Sequence, residues 1–101
     1  MKPYIWSIEK NDWLRNNRNI SFEEVVLAIS QHQIKEVYDH PNQIKYHGQK
    51  IYEIDINDYI YLVPFIDNDN DYFLKTIIPS RKATKKHKKV TKWKHNSTMK
   101  N

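Results

Sequence analysis

The apolar pattern of the chain changes period near Gln33. Before that point Phe22, Val25, Val26 and Ile29 recur at i, i+3, i+4 and i+7, the spacing that lines one face of an α-helix. After it come four short runs rich in β-branched and aromatic residues, Ile34–Tyr38, Ile51–Ile56, Tyr59–Ile66 and Tyr72–Ile78. The turn-forming strings DHPN, YHGQ, ND and DNDND separate them. Such a series reads as an antiparallel meander of three to four strands. With helices before and after it, the expected class is α+β.

Capping signals sharpen the helices. Ser7 is placed to cap a first helix over about Ser7–Asn17, with Trp6, Trp13 and Leu14 on roughly one side. Ser21 followed by Glu24 has the spacing of a capping box, in which the hydroxyl and the carboxylate satisfy each other's backbone N–H. Ser80 is placed to cap a C-terminal basic helix in which Ala83, Val90 and Trp93 form a thin apolar stripe. In Ile51–Ile56, alternation sets Ile51, Glu53 and Asp55 opposite Tyr52, Ile54 and Ile56, which predicts one solvated and one buried face. Pro64 conflicts with a regular central strand and predicts an edge position or a bulge.

A chain of 101 residues supports one core, and 39% hydrophobic with 13% aromatic residues is enough to build it. The expected organisation is one domain over residues 1–95 and a flexible basic tail over 96–101. The absence of cysteine excludes disulfides and cysteine zinc sites and is compatible with a reducing cytosol. Neither a signal peptide nor the roughly 20 apolar residues of a membrane span can be found, so a cytoplasmic protein with no membrane partner is expected. Gly48 is the sole glycine, which rules out a Gly-rich phosphate loop.

Charge is segregated. Residues 80–101 hold Arg81 and eight lysines without an acid, a formal +9 against +5 for the whole, which leaves −4 for residues 1–79. That asymmetry points to a polyanion, nucleic acid before a membrane surface.

Two local motifs and the order of elements carry a family resemblance. Trp6 and Lys10 precede Ser21-Phe22-Glu23-Glu24, and Ile77-Ile78-Pro79-Ser80-Arg81-Lys82-Ala83 closes the last strand. Over roughly residues 5–90 the chain resembles the BrnT toxins of the RelE/ParE-like ribonuclease superfamily, whose openings read W-D-x-x-K and S-F-E-E and whose last strand ends I-I-S-A-R-[RK]-A. It departs in carrying Arg18-Asn19 where the family has His-Gly, and Thr76 where an arginine precedes the isoleucines. The resemblance implies a type II toxin that cleaves RNA and inhibits translation. It also implies a cognate antitoxin, by family a small ribbon-helix-helix protein, through which the complex contacts operator DNA.

Cleavage of RNA by its own 2′-hydroxyl needs a base, an acid and a cation for the charge on phosphorus, and no cofactor. Arg81 matches the family motif and suits the cationic role, because a guanidinium grips phosphate oxygens bidentately. His87 is the candidate for proton transfer, since imidazole titrates near neutrality, and Lys75 near the end of the last strand completes the catalytic set. Lys82, Lys85 and Lys86 are candidate phosphate-binding residues, weighed against a plainly solvated helix face. His40 and His47 read as turn residues, Glu23 and Glu24 as structural, and Tyr46, Tyr52, Tyr59, Tyr61 and Tyr72 as sheet packing before base stacking. No metal site is expected, because no H-E-x-x-H or comparable ligand spacing occurs.

Overall fold

The computed structural model describes residues 2–88, and the expected tail over 96–101 lies outside them, with Val90 and Trp93. In chain order the elements are β1 (Tyr4–Ile5), α1 (Ile8–Arg18), α2 (Phe22–Ser30), β2 (Ile34–Asp39), β3 (Gln49–Ile56), β4 (Tyr59–Asp67), β5 (Tyr72–Leu74), β6 (Ile78–Pro79) and a helix over residues 81–88, here α3. The class is α+β.

The caps form where the sequence puts them. Ser7 Oγ accepts from the Lys10 N–H at 3.1 Å. The Ser21–Glu24 box closes in both directions, at 3.3 Å from the Glu24 N–H and 3.0 Å from the Ser21 N–H. At α3 the Ala83 N–H donates to Ser80 Oγ at 3.0 Å. Asn19, in the left-handed conformation at φ 54°, ends α1, a place where asparagine is well tolerated.

The sheet is larger than a meander, and mixed. Its order is β1-β5-β4-β3-β2, with β6 also on β4, and β1 runs parallel to β5. The expected single strand over Tyr72–Ile78 is split in two, and Pro64 explains the split. Its carbonyl accepts from the Lys75 N–H at 2.8 Å, so its ring nitrogen, without a hydrogen, faces the same neighbour. Pairing stops at Leu74 opposite Phe65 and resumes at Ile78 opposite Leu62, so that three residues answer two. This is the irregularity Pro64 foretold, placed on its partner, and β4 itself is interior.

The main core lies between α1, α2 and one sheet face. Leu14, Phe22, Val25 and Ala28 pack against Tyr52, Ile54, Val63 and Phe65, with Leu74 and Ile77. Tyr52 and Phe65 stack at 3.9 Å, so this tyrosine is core and offers no platform for a base.

The other sheet face corrects the expected alternation. Glu53 is 4% and Asp55 9% exposed, although their strand positions were expected to be solvated. Helix α3 lies over them. Its first turns are bonded to the backbone of β4: the Ser80 N–H donates to the Ile60 carbonyl at 3.0 Å, and the Ile60 N–H to Thr84 Oγ1 at 2.8 Å. Ala83 is buried there with Ile60 and Ile51. No helix among the described residues is long and apolar enough to cross a membrane.

Candidate functional site

The buried carboxylates under α3 define the site. Burying an ionised carboxylate is costly unless hydrogen bonds and opposite charge compensate it. Glu53 has all of these. Tyr38, from the neighbouring strand β2, donates its hydroxyl to Oε2 at 2.7 Å. His87 Nε2 lies 2.7 Å from Oε1, and Lys86 Nζ lies 3.3 Å from the same oxygen. Glu36, paired with Glu53 across β2 and β3, holds Lys86 at 2.8 Å and stands 3.7 Å from His87. Further along α3, Lys88 bridges Asp55 and Asp58.

Local sequence produces this convergence. Glu36 and Tyr38 are two apart on β2 and so share a face with Glu53. On α3, residues 82, 83, 86 and 87 share one side of the helical repeat, and Ala83 seats that side on the sheet. A small hydrophobe at 83 therefore fixes the height at which Lys86 and His87 meet the carboxylates.

The electrostatics keep Glu53 ionised. Burial pushes its carboxyl up, but the bonds from Tyr38, His87 and Lys86 outweigh burial and hold it below the usual carboxylate value. Tyr38 is pushed well above an ordinary phenol, by burial first and by Glu53 second, so it positions Glu53 and exchanges no proton near neutrality. The Lys86 ammonium is raised by its bond to Glu36 and stays charged. An ionised carboxylate only accepts, so the His87 ring nitrogen facing Glu53 carries the hydrogen.

Beside this network lies a hollow of about 470 Å³, lined by Tyr38, Glu53, Leu62, Ser80, Lys82, Ala83 and Lys86. Of the residues singled out in the sequence, Lys82 and Lys86 line it, and His87 binds its buried acid from outside the lining. Arg81 and Lys85 are exposed on α3, do not line the hollow, and have no ion-pair partner among the described residues. Lys75 is elsewhere, in a neighbouring depression with Lys10, His40 and Tyr46. Glu23 takes bonds from Asn11 and Arg15, which lower its pKa, and Glu24 caps α2; both are structural.

Glu53, Glu36 and Tyr38 were missed in the sequence. The available signal was an acidic alternation, Glu53 and Asp55, in the best strand of a chain whose C-terminal segment is cationic. Glu36, Glu53 and His87 also bring one ligand atom each within 4.8 Å of one another, a spacing a cation could use. Lys86 stands between the two carboxylates and supplies positive charge there.

No family model, no curated protein and no solved structure matches the chain.

Proposed function

We propose that the protein is a metal-independent endoribonuclease, the toxin of a type II toxin–antitoxin module, acting in the cytoplasm through the hollow beside Glu53. The observation that carries this reading is a buried, ionised Glu53 bonded at 2.7 Å to His87, next to an open hollow edged by Lys82 and Lys86. Glu53 holds the imidazole in one orientation, as a carboxylate does in an acid–base pair, and His87 takes the proton of the RNA 2′-hydroxyl. The 2′-oxygen then bonds to phosphorus, Lys82 and Lys86 face the charge that develops on its oxygens, and the bond to the 5′-oxygen breaks. The proton passes to that oxygen, leaving a 2′,3′-cyclic phosphate and a 5′-hydroxyl. Arg81 and Lys85, outside the hollow, hold the flanking strand.

The BrnT resemblance supports the same assignment and adds partners: a ribbon-helix-helix antitoxin and, through it, operator DNA. Because buried unpaired charges are costly, the antitoxin supplies carboxylates or covers the cationic patch while leaving its charges solvated. Induction of the wild type should arrest translation, His87→Ala should abolish the arrest, and Arg81→Ala should weaken it with the protein still folded. Equal arrest by all three would remove both residues from the mechanism.

A second reading has its own observation. Lys86, His87 and Lys88 each pair with a sheet carboxylate, as a purely structural clasp for α3 would require. The protein would then be a non-catalytic RNA-binding protein or an inactive toxin relative, recognisable by salt-sensitive RNA binding without new RNA ends.

A further inference from the structure

We propose that the depression next to the Glu53 hollow is a second nucleotide subsite, where Lys10 and Lys75 take a phosphate of an RNA strand and the His40–Tyr46 pair walls a base. The inference rests on the RNA reading above and names where the same strand continues. The depression, about 230 Å³, is framed by Lys10 of α1, His40 and Tyr46 of the β2–β3 connection, Pro64 of β4, and Lys75 and Thr76 between β5 and β6.

Its lining brings two lysines together without an acid. Lys2, Lys50, Lys86 and Lys88 each have a carboxylate partner. Lys10 and Lys75 have none among the described residues, and no carboxylate lines the depression. Each instead lies over an aromatic ring, Lys10 at 4.5 Å from Trp13 and Lys75 at 5.3 Å from Phe73. Two uncompensated ammonium groups repel, and an anion between them removes that repulsion. The wall opposite is aromatic: the His40 and Tyr46 rings lie 4.3 Å apart, tilted by 33°.

Placement ties it to the first hollow. Tyr38 and His40 are two residues apart along β2 and its ladder extension, and Leu62 and Pro64 are two apart on β4. These lining residues of the two hollows therefore share one sheet face and stand about 7 Å apart along the strands. Adjacent nucleotides of an extended strand can span that step. The Pro64 split sets the place of Lys75: its N–H still bonds to the Pro64 carbonyl, at the point where regular pairing stops after Leu74.

The test is fluorescence anisotropy with a 2′-O-methyl RNA hexanucleotide, which cannot be cleaved because its 2′-oxygen is blocked. Lys10→Ala and Lys75→Ala should each weaken binding about five-fold at low salt and lower the log–log salt slope by about 0.7, the value for one single-strand phosphate contact. Tyr46→Ala should weaken it about ten-fold with the slope unchanged, and Tyr46→Phe should restore it. Thermal melts establish that each variant is folded. An unchanged slope in the double lysine variant would overturn the proposal, as would an equal loss in Lys35→Ala, an exposed lysine outside the depression, or equally tight binding of hexaglutamate. Because the probe is uncleavable, a slope loss in a protein that cleaves no RNA would remove the catalytic reading and leave the subsite standing.

Discussion

Glu53 carries both the stability of the α3 docking and the proposed chemistry, and the two can be separated by pH. Its carboxyl is depressed by Tyr38, His87 and Lys86 against the opposing effect of burial. A depressed acid adds stability that is complete above its unfolded value, about 4.3, and is lost as pH falls through the folded value. Glu53→Gln should therefore be less stable at pH 7 by about 1–3 kcal/mol and should lose less than the wild type between neutrality and acid. Urea midpoints across that range check this, and parallel curves would show that Glu53 is not the group responsible. Tyr38→Phe should cost about 1 kcal/mol at pH 7 and less in acid, because its hydroxyl is one of the groups that depress the Glu53 carboxyl. At this scale the sequence reveals little of the site. His87, Lys82 and Lys86 stand out in a basic run, but Glu53 looks solvated by alternation, and only the packing of a helix more than 30 residues away buries it.

The helix starts were legible because capping is local: Ser7, Ser21 with Glu24, and Ser80 each bond within three residues. The strand break was not, because the missing hydrogen of Pro64 acts across the sheet on residues 75–77, and the two-residue β1 has no pattern of its own. One hydroxyl joins α3 to β4 at its start: Thr84 Oγ1 accepts the only N–H of Ile60 and donates to the Ser80 carbonyl at 2.7 Å. Thr84→Val keeps the shape but orphans that N–H, at a cost of about 1–3 kcal/mol, and Ser80→Ala should cost about 1 kcal/mol through the cap. For a domain of this size each kcal/mol lowers the Tm by about 4–8 °C. A Thr84→Val melt indistinguishable from wild type would mean that this hydroxyl adds nothing to the docking of α3.

Across the whole molecule, the segregated charge has two destinations. The acids of β2 and β3 and of the turn after β3 take up Lys86, His87 and Lys88, so part of the +9 segment serves the fold. Arg81, Lys82 and Lys85 have no ion-pair partner among the described residues; Lys82 edges the Glu53 hollow, and Lys10 and Lys75 edge the second depression. Composition reveals the excess of charge, but only the fold divides it between docking and binding. The proposed acid–base pair of Glu53 and His87 does more than clasp α3. The direct measurement is cleavage of a defined RNA by purified protein in EDTA, with the new ends identified. Cleavage should leave 2′,3′-cyclic phosphate and 5′-hydroxyl ends, and His87→Ala should lose at least about 100-fold in rate, the usual scale of one proton-transfer group. No new ends from the folded wild type, or equal rates in His87→Ala, would contradict it.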